Sequence, residues 1–162
     1  NLRETKNWSY GAYSGVGDQA DRITWLVTAP VQSDKTGASL KELIAEIRAV
    51  GTNRPIDKAE RDKVIDNTIL SLPGEFETGG SLLVAMERNA LLARGDDYYP
   101  RLVPRVKALT QQDLTRATGV LDPGKMTWVV VGDRKAVEPQ LKDIGLPIEF
   151  RAAPTPATKP AD

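Results

Sequence analysis

The sequence predicts an α/β fold of the α+β type: a mostly antiparallel sheet with long helices packed on one face. Three observations carry this expectation. Two alternating runs stand first, at Ser9–Val16 and Asp21–Ala29. Stretches with helical spacing of apolar residues occupy the middle. A near-continuous apolar run, Met126–Val131, returns late, as a buried central strand does.

Taken in order, residues 1–7 are polar, lack Gly and Pro, and read as the last turns of a helix. Tyr10, Ala12, Ser14 and Val16 then alternate with Gly11, Tyr13 and Gly15, small residues that suit a strand closely approached by another group. Val16–Ala20 is a turn. In the second strand Ile23, Trp25, Val27 and Ala29 share a face, and the two strands pair as an antiparallel hairpin. Ser33-Asp34 opens a helix whose apolar stripe is Leu40, Leu43, Ile44, Ile47 and Val50, stopped by Gly51.

Asp57 with Glu60 has the spacing of a capping box, and Val64, Ile65, Ile69 and Leu72 follow as the apolar side of the next helix. Pro73-Gly74 interrupts it. A helix over Phe76–Ala93 is predicted to turn Leu82, Leu83, Met86, Ala90 and Leu91 inward, with Gly79-Gly80 marking a kink or close helix contact. Residues 95–100 read as a loop anchored by Tyr98 and Tyr99, followed by helical pieces at Arg101–Ala108 and Gln111–Val120, the second capped by Thr110. Asp122-Pro123-Gly124 turns the chain into Met126–Val131. Lys135–Ile144 is a helix and Pro147–Phe150 a last strand. Residues 152–162, rich in Pro and Ala, are predicted to be a disordered tail, which leaves 1–151 as the domain.

Composition narrows the function. The 162 residues are 40% hydrophobic and 27% charged, as in a globular domain able to bury a core. Lys plus Arg equals Asp plus Glu at 22 each, so no global field draws nucleic acid or an anionic membrane, and neither is expected as a partner. The chain has no His and no Cys. That removes imidazole–nucleophile pairs, thiolates and the ligands zinc prefers, so no metal or cofactor is expected on this chain. The acidic pairs Glu42/Glu46 and Asp57/Glu60 read as solvated faces and caps.

Against that background the opening segment stands out. Arg3 offers a rigid fork of donors, and Tyr10 offers one donor on an apolar body. If both face one cleft, they suit a peptide carbonyl or the oxyanion that develops from it. On spacing alone, a surface ion pair and a half-buried phenol are by far the commoner reading of such a pair.

Leu2-Arg3-Glu4 followed by Trp8-Ser9-Tyr10-Gly11 resembles the LRE…GLxYG segment in C-terminal domains of the insulinase/pitrilysin (inverzincin) zinc metallopeptidases, the family of the mitochondrial processing peptidases. The likeness runs in order through Gly95-Asp96-Asp97-Tyr98-Tyr99, Val106–Thr110, Gln112-Asp113-Leu114, Leu121-Asp122-Pro123 and Val129–Asp133. It implies a ferredoxin-like half-domain and a role as the non-zinc, substrate-binding half of a zinc peptidase. Arg3 and Tyr10 would position the substrate backbone and stabilise the oxyanion beside zinc held by an N-terminal domain or homologous subunit. Asn7-Trp8 departs from the usual glycine and leucine, and Trp8 either lines a subsite or packs.

The family's zinc motif, H-x-x-E-H, cannot exist here. The domain's first strand and most of its first helix are expected to lie outside this chain. The resemblance also leaves open a catalytically inactive structural or assembly domain of the same fold, and a stand-alone peptide-binding module. The tail and the absence of Cys suit a periplasmic or secreted protein, with the cytoplasm the alternative.

Overall fold

The computed structural model describes residues 1–18 and 22–152. Among them the chain is mostly helical. The sheet has two strands, β1 (Tyr13–Asp18) and β2 (Ile23–Thr28), paired antiparallel with Val16 opposite Trp25. The helices are α1 (Thr36–Val50), α2 (Lys58–Ser71), α3 (Gly79–Leu91), α4 (Tyr98–Ala108), α5 (Gln111–Ala117) and α6 (Arg134–Leu141), joined by short 3-10 turns.

This overturns the predicted fold class. Among the described residues there is no mostly antiparallel sheet with helices laid across one face. The hairpin forms because β1 and β2 are neighbours in sequence and satisfy each other's backbone groups. Met126–Val131 and Pro147–Phe150 find no strand to pair with among the described residues. β propensity supplies an apolar run, but a ladder needs a second backbone at 4.7–4.9 Å, which local sequence does not specify. The first strand starts at Tyr13 rather than Ser9. Ser9 contributes one isolated antiparallel bridge to Val31, and its hydroxyl lies against the Gly11 and Pro30 carbonyls while accepting from the Gly11 N–H. The predicted turn over Val16–Ala20 and the predicted disordered tail over residues 152–162 fall partly outside the described residues.

The core sits between two helices. Leu40 on α1 packs with Val137 and Leu141 on α6, and Ile44, Trp128 and Ile144 close over them. The predicted stripe of α1 is correct in outline: Leu40 and Ile47 are buried, and Leu43, Ile44 and Val50 half-buried. What brings α6 so near is Gly37, in the first turn of α1. A β-carbon there would lie 2.4 Å from the Gln140 carbonyl oxygen. The Gly37 N–H donates to Gln140 Oε1 at 3.1 Å, and Gln140 Nε2 donates to the Ser33 carbonyl at 2.8 Å. One side chain of α6 thus closes the entry to α1.

Helix starts are the features most readable in the sequence. Asp57 and Glu60 form the expected reciprocal capping box on α2, and Thr110 with Asp113 forms another on α5. Thr78 with Ser81 forms a third at the head of α3, so Gly79-Gly80 is a helix start rather than a kink. The burial of α3 is also reversed. Ala85 is buried, whereas Leu82, Leu83, Met86 and Leu91 are 45–65% exposed. Tyr98 and Tyr99 belong to the first turn of α4 and stack edge-on with each other, Tyr99 also with Phe76 at 4.8 Å between centroids. Arg61 of α2 donates to the Leu109 and Lys107 carbonyls, fixing the end of α4.

One helix end is strained. Ala93, just past α3, has φ 49°, in the left-handed region where a β-carbon is disfavoured. The Arg94 N–H reaches back to the Asn89 carbonyl at 2.8 Å, so the turn is held by the hydrogen bonding of a helix C-cap. Ala93→Gly is therefore expected to stabilise the chain by about 1 kcal/mol, read as a higher urea midpoint at unchanged slope. A lower midpoint would contradict this backbone geometry.

Candidate functional site

The opening segment is a set of tight turns fastened to α1. Leu2 is buried, the Trp8 N–H donates to the Leu2 carbonyl at 2.9 Å, and the Gln32 N–H donates to the Trp8 carbonyl at 2.9 Å. Lys6 Nζ lies 2.8 Å from Glu42, and Asn1 Nδ2 donates to Glu42 at 2.7 Å and to Glu46 at 3.1 Å. Glu46 is also paired with Arg54. The Glu42/Glu46 pair, one turn apart on α1, is thus the anchor of the segment rather than the solvated face its local sequence suggests. Nothing local matches these carboxylates to Asn1 and Lys6.

Asn7 has φ 54°. The glycine expected there from the resemblance and the asparagine present are residue types that readily take this left-handed conformation.

Each predicted site residue now has a place. Arg3 is exposed and its Nε lies 3.2 Å from Glu4. Trp8 is half-buried, with the Lys6 ammonium 4.7 Å from its ring centroid, so it packs in the segment's own cation–π contact. Tyr10 is 92% exposed, shortly ahead of the Tyr13 that opens β1. No hydrogen bond, ion pair or ring contact joins Arg3, Trp8 and Tyr10 to one another among the described residues. They are presented by one anchored segment rather than assembled into a closed site.

Two depressions lie elsewhere. A cleft of about 520 Å³ between the end of α1, α2 and α5 is lined by Val50, Arg54, Ile56, Glu60, Arg61 and Leu114, among others. Its cations are committed: Arg54 to Glu46, and Arg61 to Asp62 and two carbonyls. A groove of about 220 Å³ between the hairpin and α1 is bordered by Ala12, Tyr13, Trp25, Val27, Ile47 and Leu121, with Glu46 at its side. Neither includes Arg3, Trp8 or Tyr10. No helix among the described residues is long and apolar enough to cross a membrane. No group of three or more acidic side chains is placed there to hold a metal ion. Asp57 and Glu60 are occupied in their capping box.

The anchor has a pH dependence. The hydrogen bonds from Lys6 and then Asn1 hold the Glu42 carboxyl below its ordinary value of 4.5, against the smaller opposing effect of burial. A carboxyl lowered by folding stabilises fully above its unfolded value and loses that contribution as pH falls through the folded one. The opening segment is expected to loosen from α1 as pH drops below about 4.5, seen as a shift of the Trp8 indole resonance. Glu42→Gln should abolish that shift. A shift unaltered in Glu42→Gln would rule out Glu42 as its origin.

Comparison with protein families, with curated proteins and with solved structures finds no match to this chain.

Proposed function

We propose that this chain is the non-zinc, substrate-binding half of an insulinase-type metallopeptidase. The observation that carries the reading is the ordered string Leu2-Arg3-Glu4 … Trp8-Ser9-Tyr10-Gly11. An anchored segment that leaves the Tyr10 side chain 92% exposed supports it. In this reading Arg3 exchanges Glu4 for the backbone of an extended peptide, and Tyr10 donates to the carbonyl under attack. The residues of this chain do not suit zinc, which belongs to an N-terminal domain or homologous subunit. There the metal would polarise the carbonyl and activate water. The setting is periplasmic or secreted.

Purification of the native assembly, with intact masses and zinc content, tests the proposal. The expected result is a companion polypeptide, or a longer form of this one, that carries H-x-x-E-H and one zinc. An assembly lacking both would overturn it and favour a structural or assembly role.

A further inference from the structure

Tyr10 sits at the apex of a turn whose two ends are tied down. The Gly11 N–H donates to Ser9 Oγ at 3.1 Å, which closes a turn of Ser9, Tyr10 and Gly11 through a side chain. The Ser9 hydroxyl also lies 2.8 Å from the Gly11 carbonyl and against the Pro30 carbonyl, so its proton fastens the turn within itself or to the chain leaving β2. Beside it, the isolated bridge joins Ser9 to Val31, and Gln32 Nε2 donates to the Asn7 carbonyl at 3.2 Å. The Tyr13 ring rests on Gly11. A β-carbon there would lie 2.9 Å from the Tyr13 phenol oxygen and 3.1 Å from Cζ. Both backbone neighbours of Tyr10 are therefore held.

The Tyr10 side chain gains no packing from this order. It is 92% exposed and makes no hydrogen bond or ring contact among the described residues. Fixing a backbone costs conformational entropy, and the apolar burial that usually offsets that cost is missing here. A held backbone under a free phenol suits a group presented to something outside the chain. Ser9 is the one side chain that meets the turn at both the N–H and the carbonyl of Gly11.

We infer that Ser9 is a positioning residue for Tyr10: its hydroxyl fixes the turn that aims the phenol at the substrate carbonyl. The inference rests on the peptidase reading and adds a residue to its site. Ser9 acts through Tyr10 rather than on the substrate. Aim matters because a displacement of about 1 Å can cost roughly a hundredfold in rate.

A double-mutant cycle in the native assembly, read with an internally quenched peptide, is the test. Ser9→Ala should lower kcat/KM about tenfold or more, through the same parameter, kcat or KM, that Tyr10→Phe changes. Ser9→Thr keeps the hydroxyl and should restore the activity. In the Tyr10→Phe background Ser9→Ala should cost nothing further, because the group it aims is gone. A merely structural serine would cost as much in either background. In the full 162-residue chain by itself, Ser9→Ala should speed exchange of the Gly11 amide about tenfold and leave the amides of α1 unchanged, which separates a loosened turn from a lost fold.

Additive losses in the cycle would overturn the inference and leave the peptidase reading standing. Full activity in Ser9→Ala beside a damaged Tyr10→Phe would do the same, as would unchanged exchange at Gly11. Full activity in both single variants would remove the peptidase reading, and the positioning role with it.

Discussion

Gly37→Ala is expected to lower the stability of the chain by about 3 kcal/mol, the upper end of the range for overpacking, and the melting temperature by roughly 6–12 °C. The reason is geometric. The added β-carbon would lie 2.4 Å from the Gln140 carbonyl oxygen, 2.9 Å from its β-carbon and 3.1 Å from its carbonyl carbon. Two of these atoms are backbone, so no flexible side-chain end can swing away. The helices must separate, and the same movement stretches the Gly37 N–H bond to Gln140 Oε1 and thins the cluster of Leu40, Val137 and Leu141. The glycine has no unusual dihedral to preserve. Its value is the absence of a side chain at a helix crossing.

Gly74→Ala is the control, since nothing lies within 4 Å of the corresponding position, and its effect should stay within about 0.5 kcal/mol. Equal melting temperatures for the two variants would mean that α1 and α6 do not meet as described. The effect reaches the candidate site through Glu42, because α1 carries the carboxylate that holds Lys6 and Asn1.

The contrast between Gly37 and Asp57 shows what is legible in the sequence. A capping box involves residues three apart, and Asp57 and Glu60 meet whatever the rest of the chain does. The α1 stripe and the hairpin are local in the same sense. Gly37 meets Gln140 across 103 residues, and no spacing rule announces it. Met126–Val131 fails as a strand for a related reason. Its apolar character is written locally, but a ladder belongs to two segments, and the second is not among the described residues.

The sidedness of α3 is illegible because apolar residues surround much of that helix. Ala85, the smallest apolar choice, faces inward, and the bulkier Leu82, Leu83 and Met86 do not. In the opening segment Arg3 and Tyr10 can be picked out by side-chain chemistry alone, whereas the left-handed turn at Asn7 is only hinted at by a residue type that tolerates it. The clamp onto Glu42 is invisible locally, because Lys6 and Glu42 lie on separate elements far apart in the chain.

If the proposed peptidase role holds, Tyr10→Phe in the native assembly is expected to reduce turnover by roughly ten- to a thousandfold, the range for loss of one oxyanion donor. The substitution removes one hydroxyl and keeps the ring. Because Tyr10 is 92% exposed and its ring contacts no other aromatic group among the described residues, the isolated chain should melt unchanged. A fall in activity would then report the chemistry of the site rather than damage to the fold.

The kinetic parameters separate two versions of the role. If the phenol stabilises charge that develops only as the carbonyl is attacked, kcat falls and KM holds. If it merely grips the resting carbonyl, KM rises and kcat holds. Arg3→Lys complements the test, since lysine keeps the charge but loses the planar fork that would hold a peptide backbone in one orientation. Peptide hydrolysis unchanged in Tyr10→Phe would exclude the phenol as a donor and leave its exposure without a catalytic reason.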